Sequence, residues 1–203
     1  MIIDILDYTI SGRERLFLHN QIPDELPGVD FADSEIAATH ALFSVHEPNS
    51  NVIIVLPTDT LQSIINQVIN FCHGRGKIKL LRMNGHGDAG VFLHGTLTTR
   101  SVRENLSTVR LLRDWFDRSG NPPPEVQLLG CWIGEEPGLI RDLAMAWNVP
   151  VSAGTTQQQS NLSVDLDATL SFEDMVVVAC PNGQVQVGIP NKGPRALYAG
   201  DCQ

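Results

Sequence analysis

NVIIVLPTDTLQSIINQVINFCHGRGKIKLLRM, residues 51–83, reads as strand, helix, strand. VIIVL at 52–56 is an unbroken apolar run, the pattern of a strand covered on both faces. Leu61, Ile64, Ile65, Val68, Ile69 and Cys72 then recur at helical spacing, behind Thr58 or Asp59 as a cap and before Gly74 and Gly76 as a stop. IKLLRM at 78–83 is the second strand. Strands joined through a helix run parallel, with a right-handed crossover.

The same alternation continues downstream. A loop, NGHGDAG at 84–90, leads to a short extended piece, VFLHG at 91–95. Thr99 or Ser101 caps a helix through Val102, Leu106, Val109, Leu112, Trp115 and Phe116, ending at Ser119-Gly120 before the stiff NPPPE connector. VQLLG at 126–130 is the third strand; Pro137 opens a helix through Leu139, Ile140, Leu143, Ala144 and Trp147; VPVSAG at 149–154 is the fourth strand. Beyond the polar TTQQQSN loop, VVVACPNGQVQVGI at 176–189 reads as a hairpin turning at Asn182-Gly183. Upstream, residues 1–8 and 13–18 around Ser11-Gly12 read as an N-terminal hairpin, and 23–51 as an irregular excursion.

These readings predict an α/β fold with a mainly parallel sheet in one domain, residues 1–203. Its core spans about 50–155, with an N-terminal hairpin and loop over 1–50 and a C-terminal hairpin and tail over 156–203.

Composition narrows the function classes. A chain 42% hydrophobic and 18% charged is globular, and a net charge of −9 with only 14 Lys and Arg argues against a nucleic-acid-binding surface. Asp4 and Asp7 break the opening run, so no secretory signal is read there, and no stretch reaches the roughly 18 apolar residues of a membrane span. The default expectation is a cytoplasmic protein that engages neither membrane nor nucleic acid. Cys72, Cys131, Cys180 and Cys202 are widely spaced without CxxC, and are read as reduced thiols.

Functional groups in open α/β sheets collect at the carboxyl ends of strands. Two residues stand out there: His86, in the loop after the second strand, and Cys131, directly after the third. They are 45 positions apart, which one loop, one helix and one strand fill, so their strands are expected to be neighbours. A thiolate is the reactive form of cysteine, and a nearby imidazole manages the proton that produces it. The backbone N–H groups of Gly87 and Cys131 are candidate oxyanion donors. Asp88, Glu135 and Glu136 suggest an acidic subsite for Arg or Lys, although first-turn acids of the next helix explain the two glutamates as well. Trp132 and Ser152 complete the candidate substrate contacts.

Competing motifs are weaker. Gly85 to Gly90 spell GxGxxG, but the extended VFLHG follows where a dinucleotide site needs a helix, so no cofactor is expected. His94 has no HxxxH or HExxH partner, and no metal site is expected.

IKLLRMNGHG and VQLLGC resemble the caspase-like, clan CD cysteine peptidases of bacterial type. Those families place His-Gly after one parallel strand and Cys after the next. The Cys131-Trp-Ile-Gly134 order is similar to a Cys-x-x-Gly seen in several members. The resemblance covers about residues 50–155. It implies a three-layer sandwich with helices flanking the sheet, and a cysteine endopeptidase that cleaves polypeptides through a His86–Cys131 dyad and a covalent acyl-enzyme. Polar Asn84 and Gly85 before the histidine, and bulky Trp132 after the cysteine, depart from the family pattern. The alternative is a catalytically inactive interaction or regulatory domain of the same fold.

Overall fold

The computed structural model describes residues 1–7, 50–56, 58–85, 87–93, 95–156, 172, 174–193 and 196–202. A seven-stranded sheet runs through them. In chain order its strands are β1 (Ile2–Asp7), β2 (Ser50–Val55), β3 (Leu80–Asn84), β7 (Glu125–Leu129), β8 (Val151–Gly154), β9 (Val176–Ala179) and β10 (Val185–Ile189). A small antiparallel sheet is formed by β4 (Gly87–Asp88), β5 (Val91–Phe92) and β6 (Leu97–Thr98). The order across the large sheet is β10-β9-β8-β7-β3-β1-β2. The five strands from β2 to β8 in that order pair in parallel, while β9 and β10 pair antiparallel to their neighbours.

The helices follow from the patterns read above. α1 (Leu61–Cys72) buries Leu61, Ile64, Ile65, Val68 and Cys72, and its cap is Thr60, whose hydroxyl accepts from Ser63 N–H at 3.1 Å. Asp59 braces that turn instead, accepting from Leu56 N–H at 2.9 Å and from the Ser63 hydroxyl at 2.7 Å. The long helix expected over 99–116 is broken into α2 (Thr99–Glu104), α3 (Leu106–Val109) and a 3-10 turn over Arg110–Trp115. Asn105 marks the first break, and its side-chain amide donates to Ser101 O at 2.9 Å, a local bond of the kind that competes with the helical ladder. Thr98 and Ser101 form a capping box at the start of α2. α4 (Gly138–Trp147) buries every apolar position expected of it.

β2, β3, β7 and β8 are visited in one direction across the sheet, so right-handed crossovers lay α1, α2, α3 and α4 on one face. Ile3, Ile5, Leu81, Met83, Val126, Leu128, Val151 and Ala153 meet them there in the main core. Successive strand residues face opposite ways, and the other face has a different character. Asp4, Arg82, Glu125, Gln127 and Ser152 lie on it, all at most 4% exposed. Asp4 and Arg82 stand opposite each other on β1 and β3 and form a two-pronged ion pair at 2.5 and 2.8 Å. Leu129, Phe172, Val176, Val178 and Tyr198 form a second, smaller apolar cluster. Among the described residues no α-helix covers this face, so the second helical layer of a three-layer sandwich is not seen.

Two expectations are corrected. β1 is not half of an N-terminal hairpin: β2 and β3 occupy both its edges in parallel, leaving none for residues 13–18, which lie outside the described residues. The alternation of residues 1–8 identified a strand but not its partners. Cys180 and Cys202 are joined by a disulfide, with Cα atoms 5.4 Å apart, so they are not reduced thiols. The C-terminal hairpin is as read, with Cys180 N–H donating to Gln184 O at 2.8 Å around Asn182-Gly183. No helix among the described residues is long and apolar enough to cross a membrane.

Candidate active site

β3 and β7 are adjacent and in register, Asn84 opposite Leu129, so the loops carrying His86 and Cys131 leave the same sheet edge side by side. Gly85 N–H donates to Leu129 O at 3.2 Å just past the strand ends. His86 itself lies outside the described residues, as does His94. The residues on either side of His86 are held tightly against the cysteine loop.

Two glycines make that approach possible and a third packs the loop on β8, and none needs a left-handed backbone. A Cβ on Gly130 would stand 2.7 Å from Gly85 O and 2.8 Å from the Phe92 ring; one on Gly87 would stand 2.9 Å from Cys131 O and 2.7 Å from Ile133 Cγ1. One on Gly134 would stand 2.9 Å from Gly154 O at the end of β8. Each distance is shorter than side chains tolerate, so glycine here permits close backbone packing rather than a turn. Phe92 and Ile133, both fully buried, fill the space between the loops. These two positioning residues carry no sequence signal, because each is an apolar residue in a segment without period.

Strain is stored one residue beyond the cysteine. Trp132 adopts φ 52° and ψ 11°, a left-handed conformation unusual for a bulky residue. Its N–H donates to Thr156 O at 2.9 Å, and its carbonyl accepts from Glu135 N–H at 3.0 Å, so the peptide is pinned on both sides. Its side chain remains exposed, and Cys131 is half-buried and forms no disulfide.

The remaining candidates are scattered. Asp88 is exposed at the tip of β4, accepting from Ala89 N–H at 2.8 Å. Glu135 and Glu136 are exposed, and Glu136 lies against Gly90, whose Cβ would be 3.0 Å from Oε2. Ser152, read as a substrate contact, lies within β8 rather than at its end. It is its second residue, buried, with its hydroxyl donating to Val126 O at 3.3 Å inside the sheet. No cluster of three or more His, Cys, Asp or Glu suited to a metal ion occurs among the described residues.

The fold and this edge define an α/β protein with a mostly parallel sheet and a glycine-packed cysteine loop. No family model, curated protein or solved structure matches the chain.

Proposed function

We propose that Cys131 and His86 form the dyad of a caspase-like cysteine endopeptidase. The observation that carries the reading is the close packing of Gly85 and Gly87 against Gly130 and Cys131 at one sheet edge. In this reading Cys131 attacks a peptide carbonyl as thiolate, the N–H groups of Gly87 and Cys131 hold the oxyanion, and His86 protonates the leaving amine. Water then hydrolyses the acyl-enzyme. The strained, pinned Trp132 fits a reactive centre, since backbone outliers cluster at such sites. Its exposed indole then offers the substrate chain an apolar wall beside the nucleophile.

The exposed indole also favours a second reading, an inactive interaction module anchored through an aromatic residue. A cytoplasmic setting belongs to the first proposal as its default, and the Cys180–Cys202 bond weighs against it, because such bonds persist in oxidising compartments. Iodoacetamide labelling followed by mass spectrometry separates the two readings. The peptidase reading expects Cys131 to label faster than buried Cys72, and His86→Ala to slow it. Equal rates, unchanged in the variant, would leave only the interaction module.

A further inference from the structure

We propose that the C-terminal segment is a redox-sensitive strap across the polar face of the sheet, independent of any peptidase activity. The strap starts after β10 and returns over β7. Its folded shape is internally braced: the Tyr198 hydroxyl donates to Asn191 Oδ1 at 3.2 Å and accepts from Lys192 N–H at 3.1 Å, while Lys192 Nζ pairs with Asp201 at 2.5 Å. Gln186 on β10 donates to Asp201 O.

Two locks fasten it to the domain. One is polar: Glu125 Oε2 accepts from the N–H groups of Tyr198 and Ala199 at 2.7 and 2.6 Å, and Gln127 donates to Ala196 O at 2.8 Å while its amide also reaches Glu125 Oε1 at 2.6 Å. Glu125 is 1% exposed, so removing the strap strips a buried carboxylate of two of its donors. The other lock is covalent, Cys180 at the end of β9 to Cys202. Beneath the strap, Tyr198 shares an apolar cluster with Leu129, which stands two residues before Cys131.

The locks differ in access. Cys180 is buried, whereas Cys202 is half-buried. A dithiol reductant therefore attacks through its thiolate at Cys202 Sγ, forming a mixed disulfide and expelling the Cys180 thiolate. Its second thiol then closes the reductant's own disulfide and releases Cys202. Two electrons and two protons pass from the dithiol to the protein, which is left with two thiols. The strap is then held by Glu125, Gln127, the Gln186 bond to Asp201 and the Tyr198 cluster, without a covalent tie, and opens locally, uncovering Glu125 and Leu129.

The test uses the whole protein, oxidised and after dithiothreitol. Thiol titration in denaturant should count Cys72 and Cys131 alone before reduction, and all four cysteines after it. Amide hydrogen exchange at Tyr198 and Ala199 should then accelerate by about tenfold or more on reduction, with Leu128 in β7 unchanged. Cys202→Ser, without reductant, should reproduce the fast exchange. Four thiols before reduction, unchanged exchange at Tyr198 and Ala199, or equal acceleration at Leu128 would each overturn the strap.

Discussion

The two faces of one sheet are built on opposite principles. Against the helices, alternate residues of β1, β3, β7 and β8 are aliphatic and interlock with α1 and α4; on the reverse, the intervening residues are Asp4, Arg82, Glu125, Gln127 and Ser152. Both faces are buried. The first is held by apolar area and shape, which tolerate conservative change, and the second by paired polar groups, which fail when one partner goes. A parallel sheet can therefore be dry on both sides without being apolar on both sides.

The comparison breaks most sharply at the ion pair. Arg82→Ala removes the two-pronged guanidinium from buried Asp4, and is expected to lower the unfolding free energy by about 4 kcal/mol in urea titration. Replacing both, as Asp4→Leu with Arg82→Met, should recover most of that loss, because the cost lies in burying one member of the pair without the other. A double variant as unstable as the single one would mean that the pair itself stabilises the polar face. On the helix face, Leu143→Ala should cost about 3 kcal/mol in the same assay through its cavity, with no rescue by a second substitution.

At the edge where both faces meet the cysteine loop, Gly134→Ala drives a methyl into Gly154 O, and thermal melts should show a loss of about 2 kcal/mol. A neutral Gly134→Ala would show that the loop can shift away from β8. The mildest effect is one of slope. Burial pushes the Glu125 carboxyl above its ordinary pKa, outweighing the donors from Gln127, Ala199 and Tyr198. A raised folded pKa contributes stability that is full below the unfolded carboxylate range and is lost as pH rises through the folded value. The stability of the native protein relative to Glu125→Gln should thus fall as pH rises above the ordinary carboxylate range. A flat difference would mean that the strap leaves Glu125 in contact with water.

The helix face was legible because its period is local: Leu61 to Cys72 and Leu139 to Trp147 announce their buried stripes without reference to anything distant. The polar face was not. Arg82 sat inside IKLLRM, Glu125 closed a proline connector and Asp4 broke an opening run, and only the pairing of β3 with both β1 and β7 gives these three a common surface. The same limit hid the Cys180–Cys202 bond, since a hairpin and a returning tail bring those sulfurs together where no spacing rule does. At the candidate site, strand ends and glycines pointed to the loop around Cys131. The packing of Phe92 and Ile133 that closes it is a tertiary fact, as is the left-handed Trp132.

The place of β1 between β2 and β3 also sets an order of events during synthesis. Its bidentate partner Arg82 is 78 residues away along the chain, and β2, the other neighbour, is made first. At about 5–20 residues per second, several seconds separate the emergence of Asp4 from that of Arg82. During that wait an acidic, half-apolar strand has no mate on the side where its charge will be neutralised. Pairings of such long sequence separation are slow to form. The pairing of β1 with β3 thus comes late, and the carboxylate of Asp4 keeps the waiting strand soluble until the guanidinium arrives.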